Sequence, residues 1–282
     1  MKITVLIENQ PSGNLCAEHG LSLAIEYRKK HYLLDTGASD AFIKNAKKLG
    51  ISLSEIDSAF LSHGHYDHSG GYEAFFAQNQ KAKVYAKEEI QEACYSGSDS
   101  SRNYIGIPEE LLEHYRDRFI LIKEDCEIEP GIWLISHKSK DGSKRGIRAH
   151  MYRKKNERFF PDDFAHEQSL VFETAKGLVL LNSCSHGGIE SIVTEVNQAL
   201  SPKKVFAVLG GFHLKGASGL DSLGVPKEEV EQMGPSLLSM GVEEIYTGHC
   251  TGFAAYEILK TSCGSHLHDL KTGTVITFAE KG

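Results

Sequence analysis

No apolar run in this 282-residue chain approaches the roughly 18 consecutive residues that a membrane-spanning helix needs, so no membrane partner is expected. The opening residues, Met1-Lys-Ile-Thr-Val-Leu-Ile-Glu8, hold only five residues between Lys2 and Glu8. That is too short for the apolar core of a signal peptide, and it reads as a first β-strand. A cytoplasmic location is the expectation. None of the six cysteines (Cys16, Cys94, Cys126, Cys184, Cys250 and Cys263) forms a C-x-x-C pair, which removes thioredoxin-like motifs and zinc ribbons. In such a compartment they are reduced by default. A positive balance is missing too: the net charge is −7, which argues against a nucleic-acid binder. Repeats at solenoid spacing are absent. Hydrophobic residues at 40% and charged residues at 24% exclude disorder and collagen-like sequence, and supply a real core.

What is present is unevenly placed. Residues 138–158 carry nine Lys/Arg against Asp141 and Glu157, a local charge of +7 that leaves −14 for the rest of the chain. Strands are expected at 2–7, 22–27 and 31–35, the last two turning at Arg28-Lys29-Lys30. A helix is expected over 40–49, ended by Gly50. A buried strand, 58–62, runs straight into His63. Residues 95–165 read as an insertion or lid, with a helical stretch near 108–116 and short strands near 119–123 and 132–136. Beyond 169 the pattern sharpens: strands 169–174, 178–183, 204–210, 243–247 and 274–279, with helices 188–199, 226–240 and 252–261. Strands first, then strands alternating with helices, imply layered sheets with helices outside.

Fourteen histidines are the main chemical signal. Residues 61–71 read Leu-Ser-His63-Gly-His65-Tyr-Asp67-His68-Ser-Gly-Gly. In an extended segment positions 63, 65 and 67 point to the same side. His63 and His65 can then close on one metal, while Asp67 and His68, where the chain turns, reach a second. Imidazole with one carboxylate suits zinc, manganese or iron.

This segment resembles the H-x-H-x-D-H motif of the metallo-β-lactamase superfamily, and further landmarks of that family follow in order. Asp35, in Leu-Leu-Asp-Thr-Gly, matches the early aspartate that supports the metal loop from behind. Cys184, in Leu-Leu-Asn-Ser-Cys-Ser-His, stands where most members carry a bridging aspartate, and His249, in Tyr-Thr-Gly-His-Cys-Thr-Gly, matches the late histidine of the second metal. The third ligand of the first metal is open between His166, 18 residues before Cys184, and His186, two residues after it, and both could bind. Cys184 is either a thiolate ligand or a buried thiol. The resemblance implies an α+β, four-layer αβ/βα sandwich over residues 1–282, with two mixed β-sheets, outer helices and two divalent metal ions at one edge, zinc foremost. Gly-Leu-Val-Leu-Leu-Asn-Ser-Cys-Ser-His-Gly-Gly and Leu-Gly-Gly-Phe-His-Leu resemble one subgroup of metal-dependent hydrolases, which also holds an archaeal dihydropterin–ribofuranosylaminobenzene phosphate synthase.

Two such ions would lower the pKa of a shared water toward neutrality. Asp67 would bind metal and accept a proton, and His213, in Gly-Gly-Phe-His-Leu, would protonate a leaving group or contact substrate. If the basic segment faces the metals, Lys144, Arg145 and Arg148 favour a small anionic or phosphorylated substrate; otherwise they form a solvated loop. The expected function is a metal-dependent hydrolase. A transferase or synthase of the dihydropterin type and a non-catalytic metal or redox sensor are the alternatives. A nuclease is disfavoured by the acidic remainder of the chain, and the sequence does not specify an oligomeric state.

Overall fold

Arg28 and Lys29 both adopt positive φ, 48° and 64°. Such a turn matches the right-handed twist of paired strands and closes Ser22–Tyr27 and Lys30–Leu34 into a hairpin. The computed structural model describes residues 1–98 and 100–281. Its first seven-stranded sheet runs in the order Val275–Thr277, Lys2–Ile7, Ser22–Tyr27, Lys30–Leu34, Ser58–Phe60, Lys83–Lys87 and Phe119–Ile122. It is antiparallel up to Lys30–Leu34 and parallel beyond. The second runs Leu267–Asp269, Glu244–Thr247, Val205–Gly210, Leu178–Leu181, Gln168–Glu173, Ile132–Ser136 and Cys126–Glu129. Here the parallel half comes first and the antiparallel half follows.

Alternation along the strands explains the layering. Val179, Leu181, Phe206 and Leu209 point inward and pack with Ile3, Val5, Leu23 and Leu34 of the facing sheet. Leu178, Leu180, Val205 and Val208 point outward and pack under the helices Ile189–Ala199, Lys227–Ser239 and Phe253–Cys263. Leu33 and Ala59 on the other sheet pack under Ala41–Lys48 and Tyr72–Gln78 through Phe42, Ala46, Tyr72 and Phe75. Each fully buried Leu, Ile or Phe contributes about 1.5–3 kcal/mol. The result is the expected four-layer sandwich with mixed sheets and outer helices. Among the described residues no helix is long and apolar enough to cross a membrane.

The segment 95–165 is shared out between layers. Phe119–Ile122 joins the first sheet, and Cys126–Glu129 and Ile132–Ser136 join the second. The flanking stretches build a separate four-stranded sheet, ordered Arg158–Pro161, Met151–Lys155, Ala93–Ser98 and Ser101–Tyr104, beside the helix Gly142–Ala149. A hairpin of Lys215–Gly216 with Gly219–Leu223, and the edge strand Leu267–Asp269, were not anticipated from the sequence.

This topology places the chemistry. Lys30–Leu34 ends at Asp35, Ser58–Phe60 leads to His63, Leu178–Leu181 to Cys184, Val205–Gly210 to His213 and Glu244–Thr247 to His249. The five strands lie in the parallel halves of the two sheets, so their carboxyl ends open on one side. That is where ligands bind in α/β sheets.

Candidate metal centre

The extended backbone expected through residue 67 stops at His65 (φ −107°, ψ 149°), and Tyr66–Ser69 is a helical turn. Asp67 and His68 thereby leave the line of His63 and His65. The turn is braced by Asp35, which is fully buried with φ 58°. Its two oxygens accept from the Ser62 amide (2.8 Å) and hydroxyl (2.7 Å) and from the Ser183 hydroxyl (2.6 Å), and one lies 2.8 Å from His68 Nδ1. Holding one ring nitrogen aims the other at the site.

Two ligand clusters result. In the first, ring nitrogens of His63, His65 and His186 lie within 4.8 Å of one another. His63 Nε2, His65 Nε2 and both nitrogens of His186 are buried without a hydrogen-bond partner. An unsatisfied buried polar group costs about 1–3 kcal/mol, so four together mark a place for something that accepts their lone pairs. In the second cluster His68 Nε2 and His249 Nε2 face each other at 3.3 Å, and Asp67 Oδ2 is 3.5 Å from each. Cys184 Sγ lies 3.3 Å from His68 Nε2 and also groups with His63, so it stands between the clusters. Neutral imidazoles, one carboxylate and a thiol fit a pair of divalent cations.

The electrostatics agree. Burial pushes His65 and His249 down to about 3 and His63 and His186 well below the usual imidazole range, which keeps their lone pairs available. Burial also lowers His68, but Asp67 and Asp35 outweigh it and push it up to about 10. Burial opposes ionisation of Asp67; His68, His249 and His19 outweigh it and hold the carboxyl well below its usual range. Burial pushes the Cys184 thiol up, so a neighbouring cation is what would hold it as thiolate.

The two histidines left open by the sequence sit in different settings. His166 spends both nitrogens: Nδ1 accepts from the Gly64 amide at 3.1 Å, and Nε2 lies 3.1 Å from Asp162 Oδ2. It also lies with His65, Cys94 and Asp162 in a buried group of ligand-type atoms that could hold a metal ion. His186 faces His63 and His65 directly, with ring centroids at 5.0 and 4.9 Å. His213, at φ 49°, packs against His186 with ring centroids 4.2 Å apart and tilted by 50°, and has a buried, unpartnered Nδ1. Both rings line a cavity of about 210 Å³ with Arg145, Arg148, Phe164 and Gly188. Lys144 is not among the lining residues. Its side chain is 82% exposed and pairs with Asp141 at 2.6 Å, because it sits on the solvent side of the helix Gly142–Ala149.

Several working residues lacked a motif. His19, which stands in no motif, lies 3.4 Å from Asp67 and stacks on His249 at 5.0 Å. Asn9 Oδ1 lies 3.0 Å from His249 Nδ1, and Glu8 accepts the His249 amide. Glu167 accepts the amides of His186 (2.8 Å) and Gly187 (2.9 Å). The one readable signal was Glu8, a charge closing an apolar strand; burial pushes it up to about 7.

Comparison with known proteins follows the same lines. Residues 17–172 match the family described as the metallo-beta-lactamase superfamily. Over 99% of its length the chain is 30% identical to 97% of 7,8-dihydropterin-6-methyl-4-(beta-D-ribofuranosyl)-aminobenzene-5'-phosphate synthase of Methanocaldococcus jannaschii. It is 33% identical to an uncharacterized protein of the same organism, over 77% of this chain and 80% of that protein. The crystal structure of a metal-dependent hydrolase of the beta-lactamase superfamily superposes with a TM-score of 0.82 at 29% identity, covering 99% of this chain and 100% of that one.

Proposed function

We propose that this chain, which belongs to the metallo-β-lactamase superfamily, is a metal-dependent hydrolase of a small-molecule substrate working at a binuclear centre. The observation that carries the reading is the pair of clusters joined by Cys184, with four orphaned imidazole nitrogens on one side. His63, His65 and His186 would hold one ion, and Asp67, His68 and His249 the other, with Cys184 between. Such ions supply an acidified water and a Lewis-acidic contact for the substrate's electrophile.

The chain's own groups do the rest. Asp67 is a weak proton acceptor because the imidazoles around it hold it ionised, so its task is to hold charge. His213 lines the cavity with an unpartnered Nδ1 and is placed to deliver a proton to the leaving group. General acids contribute about 10²–10⁴ in rate. Phe164 stacks on His186 at 4.5 Å and keeps water from that face. The test is elemental analysis beside turnover, wild type against His63→Ala. Two equivalents per chain, falling with activity in the variant, are expected; zero or one, insensitive to the substitution, would overturn the reading.

A second reading, transfer or synthesis, rests on the near full-length relative named as a synthase. The same centre would then serve bond formation between two substrates. Turnover in heavy-oxygen water separates the two. Hydrolysis puts solvent oxygen into the product, whereas transfer between substrates leaves it out.

A further inference from the structure

The cavity beside His186 is built on its far side from donors that the metal clusters do not use. The helix Ile189–Ala199 opens there, and its capping residue, Gly188, offers no side-chain cap. The amides of the first turn lack intrahelical partners and carry the positive end of the helix dipole. Ser185, 1% exposed, lines the same cavity with a buried and unpartnered Oγ. The Arg145 guanidinium lies close against the cap: a Cβ at position 188 would meet Nη2 at 2.3 Å, and the φ of 88° favours glycine there. Arg145 has no ion-pair partner among the described residues.

The other charges around the cavity do not cancel this. Arg148 is tied to Glu229 by two contacts, 2.9 and 3.3 Å, at the rim. Glu190 on the helix and Lys215, which has no ion-pair partner among the described residues, both line the cavity and balance in charge. His150, His186 and His213 complete the titratable lining.

We infer that Arg145, Ser185 and the amino end of the helix at Gly188 form a subsite for the phosphate of a phosphomonoester substrate. It rests on the hydrolytic reading only in treating the bound molecule as the substrate. A planar carboxylate satisfies a guanidinium fork alone. A tetrahedral oxyanion satisfies a fork, a hydroxyl and a helix terminus that converge from three sides. Because His186 and His213 form the shared wall, the phosphate sits beside the metal clusters and anchors the molecule rather than being the group attacked.

The test uses full-length protein stripped with chelator and dialysed, so that no metal competes for the probe. Calorimetric titration with inorganic phosphate should give one saturable site. Arg145→Gln should weaken it by about tenfold or more, the worth of a charged hydrogen bond. Arg145→Lys should keep part of the affinity, Ser185→Ala should lose less than Arg145→Gln, and Lys144→Gln should match wild type. Acetate should bind more weakly than phosphate. Arg145→Gln at wild-type affinity, acetate binding as tightly as phosphate, or no saturable site in wild type would each overturn the assignment. His63→Ala should lose turnover yet bind phosphate normally. If phosphate binds as described while no substrate is hydrolysed, the subsite stands and the hydrolytic reading falls.

Discussion

The two histidine clusters are held in different ways. On the side of Asp67, each imidazole is fixed from behind by a side chain: His68 Nδ1 on Asp35 at 2.8 Å and His249 Nδ1 on Asn9 at 3.0 Å. On the side of His63, only that residue has such a brace, Ser62 Oγ at 2.8 Å. His186 has no hydrogen bond to either nitrogen and is placed by stacking on Phe164 (4.5 Å) and by the tilted ring of His213 (4.2 Å), with Glu167 holding its backbone. One cluster is therefore preorganised by hydrogen bonds inside the sandwich. The other is preorganised by ring packing at the cavity wall, where substrate enters. Hydrogen bonds fix direction as well as position, whereas stacking leaves a ring free to turn in its plane. An ion held by His63, His65 and His186 would be the one whose ligand can adjust.

Substitutions can break or sharpen that contrast. Phe164→Ala has the largest expected effect. It removes a fully buried ring, costing about 3–5 kcal/mol, and it unseats His186. Denaturant unfolding should report the loss, and metal analysis should show one ion depleted and the other retained. Equal loss of both ions would mean that the clusters are not held independently. Asp35→Asn comes next. An amide cannot accept all the donors that converge on Asp35, and outer supports of this kind are worth about 10–100-fold in metal affinity. The loss should fall on the ion bound by His68, measured by competition with a chromophoric chelator. Asn9→Ala removes one brace of His249 and should cost about 0.5–1.5 kcal/mol in that same ion's binding, with little change at the first.

The parts of the site written close together were legible in the sequence, and the parts assembled by sheet pairing were not. His63, His65, Asp67 and His68 share one turn of chain, and their spacing alone announces a ligand set. Asn9 and His249 are 240 residues apart and meet only because the strand Lys2–Ile7 and the strand Glu244–Thr247 end on the same side. Spacing does not distinguish His166 from His186, because both reach the loop. Their settings differ in the folded backbone, where His166 gives a lone pair to the Gly64 amide and His186 gives none. Likewise Phe119–Ile122 and Ile132–Ser136 were readable as strands, and Cys126–Glu129 was not. Which sheet each would join depends on the register of distant partners such as Val84 with Phe119 and Ile132 with Phe172.

The smallest expected effect tests the boundary of the site. Lys144 belongs to the same basic segment as Arg145, and composition alone treats them alike. The helix Gly142–Ala149 turns them apart: consecutive helical positions do not face one way, so Arg145 reaches Gly188 while Lys144 projects into solvent against Asp141. Exposed pairs of this kind are worth about 0–1 kcal/mol. Lys144→Gln should therefore leave metal content, substrate KM and unfolding midpoint within error of wild type. A raised KM would show that the charge of the whole segment, rather than the placement of one guanidinium, governs what enters, and the contrast between a rigid inner cluster and an adjustable wall would then have to be extended to the loop outside it.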